Sequence, residues 1–115
     1  MGKINIVVRI AVKPGRLDDA KANLAESLAR MKVEEPGTLG FEFYLDEASG
    51  NLTLLETYKN SEALLAHLGN LAKGKPTDAI ALTSVEVFGD LSPQAKGALG
   101  MFAPKFYPLV MGLGR

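Results

Sequence analysis

The sequence predicts an α+β domain whose elements follow the order β-α-β-β-α-β. Apolar residues recur at every second position in the strand segments and at helical spacing in the two segments between them. A run of turn-forming residues, Glu47-Ala48-Ser49-Gly50, separates the second and third strand segments and predicts a hairpin. This order is that of the split βαβ, ferredoxin-like fold, which has a four-stranded antiparallel sheet with two helices on one face.

The first strand is marked by β-branched residues at alternate positions. One face carries only large aliphatic residues: Ile4, Ile6, Val8, Ile10 and Val12. The other face is mixed: Asn5, Val7, Arg9 and Ala11. Lys13-Pro14-Gly15 ends the strand, and a helix is predicted over about residues 16–33. The apolar stripe of this helix consists of residues at helical spacing: Leu17, Ala20, Leu24, Leu28 and Met31.

The register of the hairpin decides which way Glu56 faces. Strands are predicted from residue 39 onward and over residues 52–58. A four-residue turn between them would pair Phe41 with Glu56 and place Glu56 on the helix side of the sheet. A loop that is one residue shorter or longer would turn Glu56 to the other face, near Arg9. The register with the four-residue turn places more apolar residues of the two strands opposite each other, and it is the one we favour.

The second half of the chain is predicted to be less regular. A second helix begins at Asn60-Ser61-Glu62, where a short polar side chain can cap the first turn. Residues 71–81 are predicted to be a connector, and residues 84–88 a fourth strand. Ser92-Pro93 has the composition of a helix start, although two glycines soon after it weaken that helix.

The C-terminal segment, residues 91–115, is predicted to be an apolar arm outside a core formed by residues 4–90. Pro104 and Pro108 exclude a continuous helix in the arm. An apolar segment of this kind needs a surface to cover. That surface is either its own subunit, near the mouth of a cavity beside the helices, or a second copy of the chain. We expect the arm to cross to the second copy.

Length and composition limit the classes of function. The 115 residues form a single domain, 1–115, and the 13 basic and 13 acidic side chains are scattered along it. We therefore expect no nucleic-acid partner and no membrane partner. Cysteine is absent, which excludes disulfides and thiolate metal sites. A cytoplasmic location fits this composition.

The open face of the predicted sheet carries apolar residues that a monomer would leave in water: Val7, Ala11, Tyr44, Leu55 and Phe88. Two helices can cover only one face of the sheet. We therefore expect a homodimer formed through the other face.

Three stretches together resemble the antibiotic biosynthesis monooxygenase family: residues 35–39 (EPGTL), residues 55–58 (LETY) and residues 66–68 (AHL). The resemblance covers about residues 4–90. It implies a dimeric α/β barrel with a small cavity between sheet and helices in each subunit. Members include oxygenases that convert quinols or polycyclic phenols to quinones without metal or flavin. Some relatives in the superfamily degrade haem, but this chain has no Trp and its single His falls at the position of their Trp.

The resemblance and the residues suggest a cofactor-independent monooxygenase that uses O₂ and a small phenolic or quinol substrate, with no metal. His67 and Glu56 are the candidate catalytic bases. The candidate substrate-binding residues are those that could donate to a developing anion or form an aromatic wall: Asn5, Arg9, Phe41, Phe43 and Tyr58. His67 is alternatively a surface residue bonded to a carbonyl or water, and the aromatics are alternatively plain core. A non-catalytic small-molecule-binding or interaction domain is the alternative function.

Overall fold

The structure, a computed structural model, describes residues 2–114. Within them the chain forms five strands, three α-helices and one short 3₁₀ turn. In chain order the elements are β1 (Ile4–Val12), α1 (Leu17–Glu34), β2 (Thr38–Leu45), β3 (Leu52–Tyr58), α2 (Ser61–Leu71), β4 (Ile80–Phe88), α3 (Pro93–Leu99), the 3₁₀ turn (Gly100–Phe102) and β5 (Lys105–Tyr107).

The sheet has the strand order β2-β3-β1-β4-β5. The first four strands pair antiparallel, as the sequence predicts, and they confirm the ferredoxin-like arrangement. The prediction of four strands is incomplete, because β5 adds to the edge of the sheet and runs parallel to β4. Within the described chain the sheet is open, with β2 and β5 at its edges, and does not close into a barrel.

The hairpin between β2 and β3 has the favoured register. Phe41 pairs with Glu56, which confirms a four-residue turn at residues 47–50. Asp46 holds the turn, because its carboxylate accepts hydrogen bonds from the amide of Ala48 and the hydroxyl of Ser49. Glu56 therefore faces the helices, and the alternative position beside Arg9 is wrong. Arg9 pairs instead with Glu86 across the open face, at 2.8 Å.

The hydrophobic core lies between the sheet and the helices, and it includes the aliphatic face of β1. The stripe of α1 packs as predicted at Ala20, Leu24 and Met31. The core continues past residue 90, because the loop before α3 and α3 itself bury Leu91, Ala95 and Leu99. The first part of the predicted arm is thus an integral part of the subunit.

Two local predictions need correction. The connector predicted at 71–81 is shorter, because α2 extends to Leu71 and β4 begins at Ile80. The weak helix predicted after residue 92 forms as α3. The hydroxyl oxygen of Ser92 accepts the amide of Ala95 at 3.2 Å, Pro93 occupies the first turn, and burial of the apolar face outweighs the cost of the glycines.

The rest of the arm has two parts. Residues 105–107 add β5 to the sheet, and Tyr107 stacks on Phe88 with ring centroids 5.0 Å apart. Residues 108–114 form no regular secondary structure and leave apolar side chains exposed: Leu109, Val110, Met111 and Leu113. The arm therefore packs partly along its own subunit, and crossing to a second copy stays a prediction for residues 108–114.

Candidate functional site

An apolar cavity of about 170 Å³ lies between the sheet and the helices. Its walls are contributed by β1 to β4 and all three helices, and Phe102 of the 3₁₀ turn also reaches it. In the described part of the chain, two titratable side chains line this cavity, Glu56 and His67. A cavity of roughly 150 Å³ accommodates benzene, so this one has room for about one six-membered ring.

His67 occupies the inward face of α2 and is buried, with 6% of its surface exposed. Its ring lies between Phe41 and Tyr58, with centroid distances of 5.4 and 5.5 Å. Its Nδ1 lies 2.9 Å from Oε1 of Glu35. The alternative of a surface histidine bonded to a carbonyl or water is therefore wrong.

Glu35 is a buried carboxylate that accepts three side-chain hydrogen bonds. The donors are the Thr38 hydroxyl at 2.8 Å, the Asn70 amide at 3.1 Å and His67 Nδ1. Burial opposes ionisation of Glu35, but the hydrogen bonds from Asn70, Thr38 and His67 outweigh it, so the pKa of Glu35 lies below its ordinary value. Because an ionised carboxylate only accepts, His67 Nδ1 must carry the proton of this bond.

The turn after α1 brings Glu35 to α2. Glu35 ends the helix, and the amide of Thr38 donates to the carbonyl of Glu35 at 3.1 Å, closing a tight turn around Pro36 and Gly37. Gly37 is required for the close approach, because an added Cβ there would lie 2.6 Å from the Cβ of Ala63 on α2. The Pro-Gly pair thus positions the carboxylate as well as ending the helix.

Glu56 sits in the opposite environment. It is buried in the middle of β3, and the one side-chain hydrogen bond that it accepts comes from the Tyr58 hydroxyl, at 2.6 Å. Burial raises the pKa of Glu56 to about 7, with a further contribution from the negative charge of Glu35, while the bond from Tyr58 lowers it. Burial also raises the pKa of Tyr58, so its hydroxyl remains a donor.

His67 and Glu56 each have a second polar atom, Nε2 and Oε2 respectively, that remains accessible. Every fully buried side-chain nitrogen or oxygen within residues 2–114 has a hydrogen-bond partner. His67 bonds through Nδ1 and Glu56 through Oε1, which leaves Nε2 and Oε2 on the accessible side. Since both residues line the cavity, these two atoms are the titratable groups that it can offer to a ligand, beside the polar side chains of Asn23 and Ser27. In a neutral ring with Nδ1–H bonded to Glu35, Nε2 carries the lone pair.

The sequence-predicted site residues separate into two groups. Phe41 lines the cavity with Glu56 and His67, while Phe43 packs edge-on against Phe41. Tyr58 is fully buried and bonds Glu56.

Asn5 and Arg9 lie on the open face of the sheet, away from this cavity. The Thr57 hydroxyl donates to Asn5 at 2.8 Å, and Arg9 pairs with Glu86. The odd-numbered residues of β1 face away from the helices, so neither side chain can reach a ligand held against His67.

Sequence reasoning missed Glu35, Thr38 and Asn70. Sequence signals point to two of the three, Asn70 and Glu35. Asn70 follows His67 by three residues, so both lie on one helix face. Glu35 ends a helix, where a negative charge opposes the helix dipole, so an acidic residue there suggests a separate role.

Residues 2–114 contain no cluster of three or more His, Asp or Glu side chains that could hold a metal ion. In the same range no helix combines the length and apolar composition needed to cross a bilayer.

Comparison with solved structures shows the same fold in several bacterial proteins. MupZ from Pseudomonas fluorescens is 23% identical with a TM-score of 0.88, covering 100% of this chain and 96% of its own. PA3566 from Pseudomonas aeruginosa is 20% identical with a TM-score of 0.60, covering 76% of this chain and 90% of its own. A Caulobacter crescentus protein, provisionally assigned as an antibiotic biosynthesis monooxygenase, is 22% identical with a TM-score of 0.56, covering 88% of this chain and 78% of its own.

The MupZ likeness includes the C-terminal segment, because it extends over the whole chain. At these identities the likenesses concern the fold. A search of curated protein sequences found no match. Residues 3–72, more than half of the chain, match the family described as antibiotic biosynthesis monooxygenase. The chain belongs to the antibiotic biosynthesis monooxygenase family.

Proposed function

We propose that the chain is a cofactor-independent monooxygenase that oxidises a small, single-ring phenol or quinol with O₂. The observation that carries the proposal is the Glu35–His67 pair, because His67 bonds Glu35 through Nδ1 and lines an apolar cavity of ring size. Apolar walls suit a neutral aromatic ring, and they strengthen the hydrogen bond that a phenolic hydroxyl donates to Nε2.

In this mechanism His67 acts as the general base. Nε2 takes the phenolic proton, while the Glu35 carboxylate accepts the Nδ1–H bond and stabilises the imidazolium that forms. The phenolate is more electron-rich than the phenol and transfers electrons to O₂ in a site with little water. Glu35 acts through His67 and is a positioning residue.

The overall reaction is balanced without a cofactor. One ring C–H bond and one O–H bond of the phenol break, and O₂ is cleaved. One oxygen atom becomes the second carbonyl of the quinone, and the other leaves as water. The substrate supplies all four electrons, so no external reductant is needed.

Oxygen uptake tests the proposal directly. The protein is incubated with a panel of single-ring phenols and quinols, and O₂ consumption is compared between the native chain, His67→Ala and the control Glu47→Gln, which changes an exposed turn residue. The native chain and the control should accelerate uptake equally, and His67→Ala should lower kcat/KM by about 10²-fold or more.

Two outcomes would contradict the proposal. Uptake that is unchanged in His67→Ala would move the base elsewhere. Tight binding of an aromatic ligand by the native chain with no uptake across the panel would favour the alternative function, a non-catalytic binding domain.

We also propose that the protein functions as a homodimer through the open face of the sheet. Large apolar side chains on this face are exposed in the single chain: Tyr44, Leu55 and Phe88. Sedimentation at micromolar concentration should show twice the 12.3 kDa mass of the chain. A stable 12.3 kDa species would contradict the dimer.

A further inference from the structure

The cavity carries two titratable groups that are prepared for opposite roles. His67 is held by Glu35 so that Nε2 of the neutral ring presents a lone pair. Glu56 lies in a low-dielectric position where the Tyr58 hydroxyl is its one side-chain donor, and its second oxygen is accessible. Oxygenation requires the base alone, so the proposed function leaves Glu56 without a chemical role.

Pairs of titratable groups whose environments separate their proton affinities identify an acid and a base. We propose that this cavity catalyses an oxygen-independent proton shift in six-membered cyclic ketones, with His67 as the base and Glu56 as the proton donor to the carbonyl oxygen. The proposal stands on the placement of the two side chains in one cavity of ring size. Its remaining walls are mostly aliphatic, which suits an uncharged ketone.

A cyclohexenone whose double bond is β,γ to the carbonyl shows the full proton balance. Nε2 of His67 removes a proton from the α carbon, while Glu56 donates its proton to the carbonyl oxygen, which produces a dienol. The imidazolium then returns the proton to the γ carbon as the enol proton goes back to Glu56. The product is the conjugated isomer, both side chains regain their starting states, and no electrons are exchanged.

This activity does not depend on the oxygenase proposal, because neither O₂ nor a phenol takes part. It is tested under argon with the β,γ-unsaturated cyclohexenone, and ultraviolet absorbance follows the conjugated product. The native chain should accelerate isomerisation over buffer, and the control Glu47→Gln should match it. His67→Ala should lower kcat/KM by about 10²-fold or more.

The pH profile separates proton donation by Glu56 from a merely structural role. The titratable groups that face Glu56 are Tyr58, His67 and the charged Glu35. In the native chain kcat/KM should fall as pH rises past about 7, because Glu56 then loses its proton. Glu56→Gln keeps an acceptor for Tyr58 but cannot transfer a proton, so its rate should be lower by at least about tenfold and lack this decline.

The outcomes separate the two proposals. Isomerisation that requires His67 and Glu56 supports this one, whatever the oxygen-uptake result. No acceleration by the native chain would overturn it, as would acceleration that survives His67→Ala or a high-pH decline that persists in Glu56→Gln. None of these results alters the oxygen-uptake test, which uses different substrates and depends on O₂.

Discussion

The turn around Glu35 and the middle of β3 around Glu56 both bury a carboxyl group in the layer between the sheet and the helices. Glu35 is 4% exposed and Glu56 is 7% exposed, so burial alone disfavours the charge at both places. The two carboxyl groups differ in the number of side chains that donate hydrogen bonds to them. Glu35 accepts from Thr38, His67 and Asn70, whereas Glu56 accepts from Tyr58 alone.

This difference, together with the deeper position of Glu56 in the subunit, sets opposite pKa shifts in the two regions. Three donors hold the pKa of Glu35 below its ordinary value, and one donor leaves the pKa of Glu56 raised to about 7. At neutral pH one carboxyl group is a fixed anion that orients His67, and the other is close to half-protonated. The number of donors and the deeper burial of Glu56 together separate their roles.

Removing the Glu35 carboxylate should have the largest effect on stability. Glu35→Ala leaves the Thr38, His67 and Asn70 donors facing a gap, and we expect a loss of about 3–5 kcal/mol in the free energy of unfolding, measured with urea. Glu35→Gln keeps one acceptor oxygen and should lose clearly less. Equal losses in both variants would show that the charge of Glu35, and not its bonds to the three donors, provides the stabilisation.

The next effect concerns the pH dependence of stability at Glu56. Its folded pKa of about 7 lies above the ordinary value of 4.5. Below pH 4.5 Glu56 is protonated in both the folded and the unfolded chain. As pH rises from 4.5 to 7 the unfolded chain ionises first, so the contribution of Glu56 to the free energy of unfolding falls, by about 3 kcal/mol in total.

Glu56→Gln should remove this dependence. As pH rises from 4.5 to 8, the native chain should lose about 3 kcal/mol of unfolding free energy that the variant does not lose. Urea unfolding at several pH values measures this difference. Glu47→Gln, at an exposed turn, should follow the native profile. If the free energy of unfolding changed with pH in the same way in the native chain and in Glu56→Gln, Glu56 would ionise normally in the folded state.

A smaller effect compares a threonine hydroxyl that donates to a buried carboxylate with one that donates to an exposed side chain. Thr38→Val removes one donor to the buried Glu35 carboxylate and should cost about 1.5–3 kcal/mol, because hydrogen bonds to charged groups are the stronger ones. Thr57→Val removes a donor of equal length, 2.8 Å, to Asn5 on the exposed face and should change stability by less than about 0.5 kcal/mol. Similar losses of stability in the two variants, measured by thermal or urea unfolding, would mean that the bond from Thr38 to Glu35 stabilises the fold no more than the exposed bond from Thr57 to Asn5.

The sequence predicts one of these two regions and misses the other, for physical reasons. Glu56 is placed correctly because strand alternation and the length of a hairpin turn are local properties. The partner of His67 is not predictable in this way. Glu35 lies 32 positions earlier, and only the packing of the Pro36-Gly37 turn against α2 brings the two together.

The third region that escapes prediction is β5. It has three residues between Pro104 and Pro108, too few for an alternation to be recognised. Its parallel pairing with β4 depends on α3 turning the chain back across the subunit. The strands β1 to β4 are longer and alternate clearly, which is why their order and faces follow from the sequence.

The opposite protonation of Glu35 and Glu56 is tested most directly by a nuclear magnetic resonance titration of their side-chain carboxyl carbons. Glu35→Gln and Glu56→Gln each remove one signal and so assign the pair. The Glu56 carboxyl should titrate near pH 7, and the Glu35 carboxyl should remain ionised to below pH 4.5. Titration of both groups near 4.5, or of Glu35 at a higher pH than Glu56, would contradict the account.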